Sequence, residues 1–141
     1  MPSLLIHLHQ AKLNEEAALL IRSTHPDWTV TMCFYAAIHY IEAYAVSRGD
    51  DIYSLYAGQN MSPHMRRSKY IDDISTVNCW NDLPIAYTAL YDASMKARYL
   101  KNIQTTARNY FRLGSDYYIK KLQTVKTVLE VELLKGIIVS G

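Results

Sequence analysis

Hydrophobic residues recur along this chain at spacings of three and four, which is the period of a helix with one buried face. The clearest stretch predicts a helix over residues 28–48. One face of that helix carries Phe34, Ile38, Ile41 and Ala45. The same periodicity predicts further helices over residues 4–23, 64–76, 82–100 and 105–135. In the first of these, Leu5, Leu13, Leu19 and Leu20 are expected to widen the apolar stripe.

Residues typical of helix ends mark the predicted boundaries. Asp27 is predicted to cap the second helix and Gly49 to end it. Ser62 followed by Pro63 predicts the start of the third helix, because proline suits the first helical position. Gly114 is expected to kink or divide the last helix, since glycine costs about 1 kcal/mol relative to alanine inside a helix.

The pattern predicts a single all-α domain over residues 1–141, an up-and-down bundle of about four to five helices. A long polar loop, residues 49–62, follows the second helix. Cys33 is predicted to be a buried free thiol. The predicted core contains Phe34, Ile38, Ile41, Leu90, Leu122 and Leu129.

Composition agrees with a globular helical protein. Half of the 141 residues are hydrophobic, and 5 Gly with 4 Pro are too few for a loop-rich β-sandwich. Residues 1–95 carry 6 basic and 10 acidic side chains, whereas residues 96–141 carry 9 and 3. This asymmetry permits an anionic partner, and an ordinary solvated helix face explains it equally well. With no signal peptide or membrane span in the sequence, a cytoplasmic protein without membrane contact is expected.

Several common catalytic signatures are missing from the sequence. It contains no glycine-rich phosphate loop, no HExxH and no GxSxG nucleophile motif. His39 and Glu42 lie three residues apart, but a di-iron bundle needs two such pairs and several more glutamates. The sequence therefore predicts no metal and no cofactor, and His39 and Glu42 are expected to pair with each other near the core.

The first candidate site lies at the start of the predicted third helix. His64 and Arg67 are three residues apart, so they share a helix face. His64 falls in the first turn, where free backbone N–H groups and the helix dipole favour an anion. Arg66 or Arg67 adds a guanidinium fork suited to phosphate. The alternative is a capped helix whose arginines pair with Asp72 or Asp73.

The second candidate site lies on the predicted fourth helix. Tyr91, Ser94 and Arg98 share one face, and Tyr99 is adjacent. A tyrosine ring stacks on a nucleobase, and an arginine binds its phosphate. The alternative is a contact between helices in which Arg98 pairs with a buried carboxylate such as Glu42, because an unpaired buried charge is costly.

The order and spacing of these elements resemble the HEPN (higher eukaryotes and prokaryotes nucleotide-binding) domain family. The resemblance covers roughly residues 10–100. It is carried by Trp28-x5-Phe34-Tyr35-Ala36-Ala37-x-His39-x2-Glu42-Ala43, then Gly49, then Ser62-x-His64-x2-Arg67, then Tyr87-x2-Leu90-x3-Ser94-x2-Ala97-Arg98-Tyr99.

The resemblance implies a four-to-five-helix bundle that is commonly a homodimer. Many members of the family are metal-independent ribonucleases, often toxins or defence proteins, and others are inactive modules that bind nucleotides or partner proteins. The active members are similar in an Arg-x4–6-His motif at the dimer cleft, which this chain lacks. His64 with Arg67 is the nearest substitute, in reversed order.

Three functions follow as hypotheses. The first is a noncatalytic HEPN-like module that binds a nucleotide, RNA or a partner such as a nucleotidyltransferase-like or antitoxin protein, in a toxin–antitoxin or defence setting. The second is a metal-independent ribonuclease in which His64 moves the proton, Arg67 stabilises the phosphorane and Arg98 assists. The third is a helical assembly protein without a ligand.

Two structural expectations accompany these hypotheses. His64, Arg67 and Arg98 are expected to converge on one cleft, which is lined by Tyr35, His39 or Tyr91. A homodimer is expected through the long last helix and the apolar tail at residues 137–139.

Overall fold

The computed structural model describes residues 2–58 and 60–140, with side chains up to residue 133. All regular structure in these residues is helical, which confirms the predicted all-α class. The helices of these residues are α1 (Leu4–Ile21), α2 (Pro26–Ser47), α3 (Ile52–Leu55), α4 (Pro63–Asn78), α5 (Asp82–Tyr99), α6 (Ala107–Tyr110) and α7 (Ser115–Ser140). Five long helices make the bundle, with α2 packed against α1, α5 and α7, and α4 packed on α5.

The start of α2 differs from the prediction. Asp27 is not the cap: the helix begins at Pro26, His25 precedes it, and Asp27 lies inside the first turn. Proline is preorganised for the first helical position and has no N–H to satisfy, so the helix starts one residue before the aspartate. There the carboxylate still faces the positive end of the helix dipole.

Other helix ends agree with the prediction. The Ser62 hydroxyl oxygen accepts a hydrogen bond from the Met65 amide at 3.2 Å, so Ser62 caps α4. Gly49 follows the end of α2 with a φ of +75°, a left-handed conformation that glycine adopts without strain. Gly114 lies between α6 and α7, so the predicted last helix is divided there.

The predicted loop after α2 contains the one-turn helix α3. Asp51 caps it by accepting a hydrogen bond from the Tyr53 amide at 3.1 Å. Ile52 is only 2% exposed, and its burial against the core holds the turn in place. A single turn is too short to produce the helical periodicity on which the loop prediction depended.

The core is as predicted with one exception. Ile38 is only partly buried, although its side chain packs against the core. Cys33 is fully buried and free, and burial raises the pKa of its thiol to about 12. The remaining predicted core residues are at most 3% exposed: Phe34, Ile41, Leu90, Leu122 and Leu129.

The apolar stripe of α1 is wider than the face that it buries. Its small residues Ala11 and Ala18 contact the core, so α1 approaches α2 closely. The predicted wider stripe is not covered by this chain: four leucines are exposed, namely Leu5 (70%), Leu13 (43%), Leu19 (38%) and Leu20 (85%). The apolar side chains at residues 137–139, expected to contribute to a dimer, lie outside the described side chains.

Glu15 connects α1 to two other helices. Its carboxylate accepts hydrogen bonds from the Tyr40 hydroxyl at 3.1 Å and from the Gln123 amide at 2.9 Å, and it pairs with Lys126 at 3.3 Å. Burial opposes ionisation, but these three partners outweigh it and lower the pKa of Glu15.

Among the described residues, no helix has the length and apolar character needed to cross a membrane.

The first prediction concerns the core. Phe34→Ala removes a ring that is 3% exposed, and we expect it to lower the free energy of unfolding by about 3–5 kcal/mol. Leu113→Ala, at a side chain that is 90% exposed, is the control and is expected to change it by less than about 0.5 kcal/mol. Urea denaturation followed by circular dichroism measures both. Equal losses in the two variants would contradict the assigned core.

Candidate functional site

Along the middle of α2, one face is only half-buried. It carries Tyr35, Ile38, His39 and Glu42, at i, i+3, i+4 and i+7. Polar residues from three other helices meet this face, and each of them comes from a different part of the chain. They are His7 of α1, Arg67 of α4 and Arg98 of α5.

His64 forms a ring stack with two tyrosines of α5, here called the His64 stack. The His64 ring lies parallel to Tyr91, at 6° and 3.4 Å between centroids. Its Nδ1 is 2.9 Å from the Tyr87 hydroxyl. Tyr87 and Tyr91 are one helical turn apart, so the first turn of α4 is held against α5. Among the described residues His64 Nε2 makes no hydrogen bond, so this nitrogen remains available to a ligand.

The electrostatic surroundings of His64 favour its neutral form. Burial lowers its pKa first, and the nearby positive charge of Arg67 lowers it further. A neutral imidazole with Nδ1 bonded to the Tyr87 hydroxyl either accepts or donates at that atom, depending on its tautomer. When Nδ1 donates to Tyr87, Nε2 can accept a hydrogen bond from a ligand, and when Nδ1 accepts, Nε2 can donate one.

Arg67 is a buried cation. It is 9% exposed, and its Nε lies 3.7 Å from Oε1 of Glu42. This ion pair differs from both alternatives that the sequence suggested. Glu42 pairs with Arg67 and not with Arg98, because α4 brings its guanidinium onto the half-buried face of α2.

The surface alternative for the two arginines is also wrong. Arg66 donates from Nη1 to the Tyr53 carbonyl at 3.3 Å, so it holds the segment around α3. Asp73 does not pair with either arginine, because it accepts a 2.6 Å hydrogen bond from the Tyr56 hydroxyl. Asp72 is exposed and forms no ion pair with them.

Arg98 lies in a cage of aromatic rings, here called the Arg98 cage. Its Cζ is 5.0 Å from the ring centroid of Tyr99, 5.5 Å from that of Tyr35 and 5.8 Å from that of Phe34. Nη1 donates to the Tyr35 hydroxyl at 3.1 Å, and Nη2 donates to Ser94 Oγ at 3.2 Å. All its partners in the described part of the chain are neutral, so the charge of Arg98 is not balanced by a carboxylate.

His39 pairs with a histidine rather than with Glu42. Its Nδ1 is 3.1 Å from Nδ1 of His7, a residue that is only 8% exposed. One of the two nitrogens must donate and the other accept, so the pair holds together best when at least one ring is neutral. Burial, then His7 and Arg67, lower the pKa of His39. The predicted His39–Glu42 pair is therefore wrong, because α1 supplies a partner that spacing within α2 does not reveal.

Phe34 joins the two candidate sites. Its ring is 5.7 Å from that of Tyr91 and 5.8 Å from Cζ of Arg98. A continuous row of contacts thus leads from Arg67 through the His64 stack to the Arg98 cage.

The described residues contain no group of three or more His, Cys, Asp or Glu side chains placed to hold a metal ion.

The sequence did not single out Tyr87, His7 or Phe34 as parts of this surface. Tyr87 lies four residues before Tyr91, and this helical spacing could have placed it on the same face as the second candidate site. His7 had no such signal, because its partner is 32 residues away. Phe34 was identified as a core residue, which it is, and as part of the HEPN-like pattern.

Comparisons with known proteins find no relative. No protein-family model matches the chain, and no significant match occurs among curated proteins or among solved structures. The resemblance to the HEPN family therefore stays a prediction.

The second prediction concerns pH. The pKa of His64 is lowered from 6.5, so between 6.5 and the lower folded value protons bind to the unfolded chain and not to the folded one. The free energy of unfolding should therefore fall as the pH drops below about 6.5 and level off above it. Urea denaturation from about pH 5 to pH 7.5 measures this slope.

A variant separates His64 from other titrating groups. His64→Gln should reduce the slope, and the difference between the two pH profiles is the contribution of His64. The same slope in wild type and His64→Gln would contradict the assigned environment of His64.

Proposed function

We propose that this protein is a noncatalytic HEPN-like module that binds a nucleotide or RNA along the row from the His64 stack to the Arg98 cage. The observation that carries the proposal is the charge of Arg98. This half-buried guanidinium is surrounded by aromatic rings and hydroxyls, and within the described residues it pairs with no carboxylate.

The chemistry around Arg98 suits a phosphate ester. Guanidinium binds phosphate oxygens through two parallel N–H donors, which is stronger than a bond between neutral groups. The flanking rings of Tyr35 and Tyr99 offer flat faces, and Tyr99 is 64% exposed. Stacking of a base on such a ring contributes about 1–3 kcal/mol and does not depend on the base. Charge and rings together therefore match the two parts of a nucleotide.

The arrangement supports binding more than cleavage. A ribonuclease would use Arg67 against the developing charge of the phosphorane, but Arg67 is buried and its charge is already balanced by Glu42. His64 keeps Nε2 for a ligand, yet its other nitrogen and its ring face are already engaged. For this reason we favour the binding module over the metal-independent ribonuclease.

The biological setting is part of the proposal. By resemblance to HEPN proteins, we place the module in the cytoplasm in a toxin–antitoxin or defence system. A nucleotidyltransferase-like or antitoxin protein is the partner that this resemblance implies.

The third prediction tests the binding surface. Arg98→Gln keeps a polar side chain and removes the charge, and we expect it to weaken binding of a short single-stranded RNA about tenfold or more. It should also lower the slope of log affinity against log salt by about 1. Arg112→Gln, an exposed arginine outside the row, is the control. Fluorescence anisotropy with a labelled oligonucleotide measures both quantities.

The same samples distinguish the competing functions. Cleavage of the RNA in the presence of a chelator, abolished by His64→Ala, would establish the ribonuclease instead. Absence of binding by the wild type to both RNA and mononucleotides would overturn the proposed function.

An assembly role has an observation of its own. Ile6, Leu13 and Leu20 recur every seven residues along α1 and are 60%, 43% and 85% exposed. An apolar stripe of this kind is typical of a surface that packs on another helix. We infer that the protein is a homodimer and that α1 contributes to its interface.

The fourth prediction tests this dimer. Light scattering of the wild type should give twice the chain mass, and the double variant Leu13→Glu with Leu20→Glu should give the monomer mass. Leu113→Glu, at an equally exposed leucine outside α1, should remain dimeric. A monomer mass for the wild type at every concentration would contradict the inference.

A further inference from the structure

Positive charge is concentrated where the last turn of α5, the short helix α6 and the start of α7 meet. Residues 96–121 carry 7 basic side chains and 1 acidic side chain, whereas the rest of the chain carries 8 and 12. Phe111 holds the three segments together, because it packs with Ala93 and Ala97 of α5 and its ring lies 5.6 Å from that of Tyr118 in α7. The excess charge therefore belongs to one region of the folded chain.

Four aromatic rings in this region are in successive contact. Ring centroids are 4.9 Å apart for Tyr110 and Phe111, 5.6 Å for Phe111 and Tyr118, and 5.0 Å for Tyr118 and Tyr117. Phe111 is only 1% exposed and anchors the group, but Tyr110 is 46% and Tyr117 is 53% exposed. The two outer tyrosines thus present ring surface to solvent from a fixed base.

A lysine lies over each of these exposed rings. Lys96 Nζ is 5.8 Å from the ring centroid of Tyr110, and Lys121 Nζ is 5.0 Å from that of Tyr117. In the described part of the chain neither lysine forms an ion pair, and this includes Asp92, one helical turn before Lys96. The two pairs, Lys96 with Tyr110 and Lys121 with Tyr117, are here called the lysine–tyrosine surface.

Other cation–ring contacts of the chain have a different character. Arg48 lies over Tyr44 and Lys69 over Tyr56, but these rings are 2% and 7% exposed, so no ligand can stack on them. The Arg98 cage is like the lysine–tyrosine surface instead, because its outer ring, Tyr99, is 64% exposed and its cation has no carboxylate partner among the described residues. Cage and surface therefore offer a ligand the same two features, an available charge and an open ring face.

A groove of about 240 Å³ leads from the Arg98 cage toward α6. It is bordered by Arg98, by Trp28, which is 50% exposed, and by Asp27. The enclosed carboxylate of Asp27 lies 3.5 Å from Arg108 Nε, so it holds α6 against the groove and is not free for a ligand. Tyr110 follows two residues after this arginine, at the end of α6. The groove thus provides a route between the two places, with an indole ring beside it.

A single strand of nucleic acid matches these features. Its phosphates follow one another along the chain and attract several cations, and its unpaired bases have open faces that stack on aromatic rings. A double-stranded RNA is bound mostly through its shape and backbone, which leaves exposed rings without a role. A membrane-binding surface is typically a longer amphipathic helix with a continuous apolar face, whereas these tyrosines lie on separate helices and α6 has only one turn.

We propose that the lysine–tyrosine surface is a second binding site for single-stranded nucleic acid, and that the strand runs from it along the groove to the Arg98 cage. Lys96 and Lys121 contact phosphates, and bases stack on Tyr110 and Tyr117. This inference rests on the proposed function and specifies its ligand, which is a polynucleotide and not a free nucleotide.

The experiment compares UMP with an oligouridylate of about 12 nucleotides on the full chain. Calorimetry measures the first and fluorescence anisotropy the second. We expect the wild type to bind the oligonucleotide at least about tenfold more tightly than UMP, because only the strand reaches both sites. An oligothymidylate of the same length is measured alongside: binding of either strand supports the proposal, and the tighter one identifies RNA or DNA as the source.

Two double variants test the surface itself. Tyr110→Leu with Tyr117→Leu keeps apolar side chains and removes the flat rings, so it should weaken the oligonucleotide about tenfold or more and leave UMP unchanged. Lys96→Gln with Lys121→Gln should lower the slope of log affinity against log salt by about 2, which is about 1 for each lost phosphate contact.

Two single variants are the matched controls. Lys69→Gln changes a lysine that lies over a buried ring, and Arg112→Gln removes a charge of the same region that lies over neither tyrosine. Both should leave binding of the oligonucleotide unchanged. Circular dichroism checks that each variant keeps its helices.

The outcomes distinguish this site from the proposed function. The second site is overturned if the oligonucleotide binds no more tightly than UMP, if the double variants bind it like the wild type, or if Arg112→Gln weakens it as much as they do. In those cases loss of UMP binding in Arg98→Gln still supports the proposed function. Oligonucleotide binding that needs the lysine–tyrosine surface but not Arg98 would support the second site and overturn the proposed one. Binding to phosphatidylserine vesicles without binding to either oligonucleotide would make the surface a membrane site and overturn the inference.

Discussion

The pairing of Glu42 with Arg67 determines how charge is distributed over the rest of the surface. Both groups are nearly enclosed, and separating them would leave an uncompensated charge at the edge of the core. Glu42 is paired with Arg67 of α4, and the hydrogen bonds of Arg98 of α5 go to neutral groups: the hydroxyls of Tyr35 and Tyr99, Ser94 and the Met95 sulfur. Burial lowers the pKa of His39 and of His64, and the positive charge of Arg67 in this pair lowers each further. The row therefore has a histidine that favours its neutral form near one end and a cation without a carboxylate partner at the other.

The row is rigid because it is built on helices and not on loops. Each of its residues belongs to α2, α4 or α5, and Phe34 belongs both to the core and to the row. Stacking of His64 on Tyr91 and its contact with Tyr87 fix the start of α4, whose cap Ser62 is adjacent. A ligand would meet side chains that are already oriented, which reduces the entropy cost of binding. The groove between Asp27 and Arg98 extends this surface toward the other end of α2.

Much of the fold follows from local rules, and the errors show where those rules stop. Ser62–Pro63 and Gly49 marked helix ends correctly, because capping depends on a few consecutive residues. The α1 leucines were assigned to a buried stripe, yet four of them are exposed, since periodicity reveals an apolar face without revealing what covers it. Ile38 also follows the core spacing of α2, yet it is only partly buried where it packs against the core.

Spacing within single segments was enough to predict the long helices, most of their ends and the apolar core. The sequence also identified the residues that bear the charge and the rings, including His64, Arg67, Tyr91 and Arg98. Their pairing depends on how the helices pack: Glu42 with Arg67 instead of Arg98, His39 with His7 instead of Glu42, and Asp27 beside Trp28 in a groove closed by α5. The physical reason is that an ion pair or a groove wall joins residues far apart in the chain, and helix packing alone sets which of several chemically equivalent partners comes within reach.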